Sequence, residues 1–142
     1  YIILLAFLGI IYFYNLDFVT EDKTLHFNIA NYLDENTSND IKLYTDYNQG
    51  SYYECRGYKC YLDPRAEVFL KSNNKKEDIL LEYYDFQMGK IKVKDFIDKY
   101  KFDYIIVDDS SNILNIYINE IEEYVQIYNK NNKLKLYKRI EE

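Results

Sequence analysis

The opening of the chain constrains it most. Tyr1 to Leu16 (YIILLAFLGIIYFYNL) carries no charged side chain and only one amide, Asn15. A helix that packs one side onto a soluble core shows a polar stripe, and this run shows none. It also lacks the basic start and small-residue cleavage site of a secretory signal. A bilayer span needs about 20 residues, so the run is short for a complete crossing. The expectation is the end of a transmembrane helix, the tail of a longer apolar segment, with Tyr12 and Tyr14 in an interfacial aromatic belt. The segment that follows, Asp17 to Asp22, is acidic on balance. Because Lys and Arg mark cytoplasmic flanks, this places the remainder on the extracytoplasmic side of the cell membrane.

The expected organisation is residues 1–16 as the helix end and residues 17–142 as one soluble domain. A chain of 142 residues suits a single domain, and 48% apolar residues supply a core. A net charge of −6 opposes nucleic-acid binding, which needs clustered Lys and Arg to neutralise phosphates. It equally opposes docking on an anionic leaflet.

Beyond Asp22, Leu25, Ile29, Tyr32 and Leu33 recur at helical spacing. The turn cluster Glu35 to Asp40 precedes a strand, IKLYTD, and Lys59 to Asp63 forms a second strand before the only proline, Pro64. Between them SYYECRGY is ambiguous between helix and strand. Lys75 to Met88 reads as a helix stopped by Gly89, and Val93 to Tyr100 as another. The unbroken run in DYIIVD (Asp103 to Asp108) suits a strand covered on both faces. Asn112 to Glu122 returns to helix, and YVQIYN with KLKLYKR forms a hairpin around Asn129 to Asn132. The order β-α-β-α-α-β-α-β-β predicts an α/β fold. It would be a Rossmann-like three-layer sandwich with a mostly parallel sheet of about five strands and a C-terminal antiparallel hairpin.

Three strands then end in aspartate: Asp46, Asp63 and Asp108. Strand carboxyl ends border the crevice where open α/β sheets bind ligands, and carboxylates converging there would suit Mg²⁺. Aspartate at a strand end is also a common cap for the next helix, and Asp108 to Ser111 sits where the Asn112 helix needs one. Gly50, Gly57 and Gly89 are isolated, so there is no glycine-rich phosphate loop. The single histidine, His26, lies on a helix and has no evident nucleophile. No catalytic residue and no cofactor are assigned. Cys55 and Cys60, in CRGYKC, have too few Cys or His neighbours for a tetrahedral metal site. They are candidates for a local disulfide or for two free thiols. Tyr52, Tyr53, Tyr58 and Tyr61 crowd this loop as a candidate stacking face, in a chain with 18 tyrosines.

The stretch TDYNQGSYYECRGYKCYLDPRAEVF (Thr45 to Phe69) resembles the C-terminal soluble domain of bacterial polytopic membrane proteins of the GT-C glycosyltransferase type, relatives of dolichyl-phosphate-mannose and lipid-linked sugar transferases. Gln49-Gly50-Ser51-Tyr52 looks like the family's Gly-Gly-Tyr-like turn, and Asp63-Pro64-Arg65 like its Asp-x-Arg element. DKYKFDYIIVDD and YVQIYNKNNKLKLYKR look like its later helix-strand and its closing hairpin. The cysteine pair departs from the family pattern. In this family the catalytic carboxylate lies in the membrane portion, so the resemblance implies an accessory domain without catalysis of its own. Such a domain would shape the substrate entrance or contact acceptor glycan. Its partners would be the membrane and a lipid-linked sugar or glycan.

Candidate ligand-binding residues are Asp46, Gln49, Gly50, Tyr52, Asp63, Arg65 and Asp108. Physically, Arg65 is expected to clasp Asp46 or Asp63 and fix the loop after the second strand, because a bidentate Arg–carboxylate pair is geometrically specific. Two other classes stay open: a membrane-tethered sugar- or peptide-binding module, and a Mg²⁺-dependent enzyme using the strand-end aspartates.

Overall fold

The structure is a computed structural model that describes residues 2–109, 112–130 and 133–140; on the first helix it describes side chains at 5–11 and from 25 onward. The chain divides into two compact units, residues 1–36 and 37–142.

The first unit is one helix, α1 (Ile2–Asn36). The break expected after Leu16 is absent: no Gly or Pro interrupts residues 10–36, so the helix runs through the acidic segment. Asp17, Glu21, Asp22 and Lys23 therefore fall within it, and the apolar run ends short of a span. Among the described residues no helix is long and apolar enough to cross a membrane, which corrects the expectation of a transmembrane helix end. The side chains of Tyr12 and Tyr14 lie outside the described ones. Leu5, Phe7, Leu8, Ile10 and Ile11 are exposed.

The second unit is built on five strands: β1 (Lys42–Tyr44), β2 (Lys59–Cys60), β3 (Tyr104–Asp108), β4 (Tyr124–Lys130) and β5 (Leu134–Arg139). Their order across the sheet is β2-β1-β3-β5-β4. β1 runs parallel to β2 and β3, with two residue pairs in each register. β5 lies antiparallel to β3 over five pairs and to β4 over six.

This corrects the mostly parallel, Rossmann-like sandwich. In that fold each new parallel strand arrives through a helical crossover. Here the place beside β3 is taken by the second arm of a tight hairpin, so the long pairings are antiparallel. The hairpin itself is where alternation put it, although its turn residues Asn131 and Asn132 lie outside the described ones. The DYIIVD run does become a buried central strand, with Ile105, Ile106 and Val107 fully inaccessible.

Helices α2 (Gly50–Glu54), α3 (Lys71–Asn74), α4 (Ile79–Gln87), α5 (Val93–Tyr100) and α6 (Ile113–Tyr117) join the strands. A further 3₁₀ turn covers Ala66–Phe69, and the helix expected to reach Glu122 passes at Ile118 into a second one. Asp78 caps α4 by accepting from the Leu81 N–H at 3.0 Å. Gly89 ends that helix at φ +72, in the left-handed region where glycine is least strained.

Phe86 of α4, Phe96 and Ile97 of α5 and Leu114 of α6 form one core with Tyr44, Ile105, Val107 and Tyr137 of the sheet. The Phe86 and Phe96 rings stack 3.9 Å apart, and Tyr44, Tyr61 and Phe102 meet Phe96 within about 6 Å. This packing carries α4 and α6 to the carboxyl ends of β1 and β3, and so sets the walls of the cleft described next.

Candidate functional site

Two structures built from the loops after β1 and β2 hold the candidate residues. The first is an interlock. Gly50 opens α2 so close to the segment after β2 that a Cβ there would stand 2.1 Å from the Leu62 carbonyl oxygen. Only glycine fits that approach. Beside it the Asp63 side chain is fully inaccessible and is paired with Arg65. The Arg65 backbone N–H and Nε donate to Asp63 Oδ1 at 2.8 and 2.9 Å, and Nη2 donates to Oδ2 at 2.5 Å and also to Glu54 Oε2. The Arg65 hydrogen bonds hold the Asp63 carboxyl below the usual carboxylate range, whereas burial and the neighbouring Asp63 push Glu54 up. Arg65 thus meets Asp63 and not Asp46. Gly50, Asp63 and Arg65 form a clasp that ties α2 to the chain after β2.

The second structure is a cleft of about 260 Å³ at the carboxyl ends of β1 and β3, lined by Asp46, Tyr47, Asn48, Gln49, Tyr83, Gln87, Asp108 and Asn112. Adjacent parallel strands end on the same side, which brings Asp46 and Asp108 together. Gln49 Nε2 donates to Asp108 Oδ2 at 2.8 Å. Asn112 Nδ2 donates to Asp46 Oδ1 and, at 3.2 Å, to the Tyr44 hydroxyl, which also accepts from Gln87 Nε2 at 3.2 Å. Tyr47 and Tyr83 wall the cleft with ring centroids 6.4 Å apart. No Lys, Arg or His lines it among the described residues.

Burial, then the charge of Asp108, push Asp46 up to about 7, against the lowering effect of hydrogen bonds from the Asn112 amide and the Asp108 backbone N–H. Burial, and after it Asp46, push the Tyr83 hydroxyl up to about 12. Asp46 Oδ2 and Gln49 Oε1 are buried and meet no donor among the described residues. Buried acceptors without donors are uncommon in native proteins and mark places where something else supplies the hydrogen.

The structure therefore gathers Asp46, Gln49 and Asp108 in one cleft, and Gly50, Asp63 and Arg65 in the adjoining clasp. Asp63 does not line the cleft, and among the described residues no group of three His, Cys, Asp or Glu could hold a metal ion. Tyr52 stands apart on α2 with the Arg56 guanidinium 5.6 Å over its ring. The tyrosine loop is no open stacking face, because Tyr53, Tyr58 and Tyr61 belong to the interior. Cys55 and Cys60 are free thiols. Cys60 lies 3.5 Å from the Gly50 carbonyl oxygen, and burial, with Glu54 beside it, pushes its thiol up to about 12.

Sequence reasoning missed Tyr47, Tyr83, Gln87 and Asn112. Tyr83 and Gln87 share a face of α4 at i, i+4 spacing, the one signal that could have paired them. Asn112 caps α6 by accepting from the Leu114 N–H at 2.8 Å. Ser110 and Ser111 lie outside the described residues.

No protein-family model matches the chain, and no curated protein or solved structure matches it either.

Two outcomes follow from this geometry. Gly50→Ala must displace backbone, so urea unfolding should show a loss of about 1–3 kcal/mol; an unchanged midpoint would show that the close approach is not needed. For Asp46 the sign follows from its raised pKa. The folded protein holds this proton more tightly than the unfolded chain, so the contribution is fully present below about 4 and lost as pH rises through about 7. Asp46→Asn, which keeps an acceptor for Asn112 but no charge, should therefore gain on the wild type by on the order of 2–4 kcal/mol between pH 4 and pH 8. A pH-independent gap would mean that Asp46 titrates normally.

Proposed function

We propose that this chain is a non-catalytic accessory domain of a membrane-embedded glycosyltransferase-like protein on the extracytoplasmic side, and that its strand-end cleft contacts acceptor glycan. The observation that carries the reading is the pair of buried acceptors, Asp46 Oδ2 and Gln49 Oε1, in a cleft walled by Tyr47 and Tyr83. A glycan brings hydroxyl donors for such oxygens and C–H faces that pack on aromatic rings. Hydroxyls donating to an ionised carboxylate make the stronger, charge-assisted kind of hydrogen bond.

The remaining residues support binding more than turnover. Asp46 Oδ1 and Asp108 Oδ2 already accept from amides, and no Ser, Cys or His lines the cleft among the described residues. The Gly50 and Asp63–Arg65 elements, which carry the resemblance to the GT-C type, serve here to hold the loop that presents Gln49. Membrane association draws support from α1, where exposed Leu5, Phe7, Leu8, Ile10 and Ile11 are distributed around the helix instead of along one stripe.

A panel of neutral, acetylated, amine-bearing and anionic oligosaccharides titrated into ¹⁵N-labelled protein should shift the amides of Asp46, Gln49 and Asp108 without forming product. A panel that shifts none of them would end the glycan reading, and turnover by a clean preparation would end the non-catalytic one. In vesicle flotation the chain should rise with lipid, and Phe7→Glu with Ile10→Glu should leave it at the bottom of the gradient. Equal flotation of both proteins would remove the helix from the account.

A further inference from the structure

We infer that two copies of this chain pair edge to edge through β4, as antiparallel strands related by a two-fold axis. The inference is independent of the glycan reading and starts from the two edges of the sheet. β2 closes one edge with two residues, too few to template another strand. β4 closes the other with seven, and among the described residues no strand pairs with its outer side. In an antiparallel ladder alternate residues turn their N–H and C=O groups away from the partner, so β4 presents a row of them outward.

Native sheets guard such an edge with proline, charge, cover or a bulge. Tyr124 to Asn129 contain no proline and no charge, and Val125 and Ile127 are exposed at 45% and 36%. A bulge is present: the register shift between Gln126 and Tyr128 takes Ile127 out of the ladder with β5. It adds right-handed twist, and twist is largest in two-stranded contacts, so it leaves room for one further strand.

Charge chooses the occupant. The uncharged run is preceded by Glu122 and Glu123 and followed by Lys130. Glu122 and Lys130 are exposed, whereas Glu123 already lies 3.5 Å from Lys94. A strand with acid before it and base after it is complementary to its own reverse. Antiparallel pairing brings Glu122 of each copy to Lys130 of the other, and parallel pairing would set like charges together. A two-fold axis at Gln126 gives this register and also sets Val125 of one copy opposite Ile127 of the other. Such β-branched pairs stabilise neighbouring strands. One seven-residue edge is far below the roughly 20–30 residues a side of a standard interface, so the dimer is reversible and depends on concentration.

The test is sedimentation velocity on the full chain in a non-ionic detergent, with amide hydrogen exchange on the same samples. The wild type should pass from monomer to dimer below about 1 mM, and amides within Tyr124–Tyr128 should exchange more slowly as it does. Ile127→Lys should keep the chain monomeric over that range, and Val125→Lys provides the same check if the first variant fails to fold. Lys130→Glu should weaken the dimer about threefold, an exposed pair acting twice by symmetry, and adding Glu122→Lys should restore it. A chain that stays monomeric at every concentration overturns the inference. So does a dimer that both lysine variants leave intact, or one in which the second charge change restores nothing. A dimer that Phe7→Glu with Ile10→Glu dissolves, while Ile127→Lys leaves it whole, belongs to α1 and overturns it as well.

Discussion

A carboxylate buried beside a second carboxylate, in a cleft that no Lys, Arg or His lines among the described residues, is the constraint on which the site depends. Asp46 follows β1 and Asp108 closes β3, and the parallel pairing of those strands leaves their ends no choice but to meet. The aromatic core seats α4 and α6 against the same edge, so Tyr83, Gln87 and Asn112 close around the pair. Burial and like charge both disfavour ionisation of Asp46, an arrangement that weakens the folded state at neutral pH. Ionisable groups kept at such a cost cluster where proteins bind or react.

The two loops divide the work. The Asp63–Arg65–Glu54 clasp and the contact of Gly50 with the Leu62 carbonyl fix where α2 begins. Gln49, the residue before α2, is thereby aimed at Asp108. Asp63, which accepts three hydrogen bonds from Arg65, is structural, and Asp46, with one buried oxygen left unsatisfied, is the candidate for function. Each carboxylate has its role set by its neighbours, not by its position at a strand end.

Much of the local structure was legible in the sequence. The apolar run in β3, the helical spacing in α5, the Gly89 stop and the alternation of the hairpin each report burial, and burial follows directly from period. Pairing direction does not. Nothing in Leu134–Arg139 says that it enters beside β3, which is why the expected parallel sandwich gave way to a mixed sheet. The charges after Leu16 suggested a boundary, yet without Gly or Pro the helix continued to Asn36. Within the site, Asp46, Gln49 and Asp108 could be read from strand ends and the loop motif. Tyr83, Gln87 and Asn112 could not, because their roles arise from the tertiary packing of α4 and α6. The Arg65 clasp was expected on either Asp46 or Asp63, and which of the two it takes, Asp63, is set by the fold.

The most direct measurement is the carboxyl ¹³C titration of Asp46 by NMR in the wild type and in Asp108→Asn. This account predicts a midpoint near 7 in the wild type that moves toward the ordinary carboxylate range when the neighbouring charge is removed. A wild-type midpoint near 4, unmoved by that substitution, would contradict it: Asp46 would then be neither buried beside a like charge nor in need of a donor.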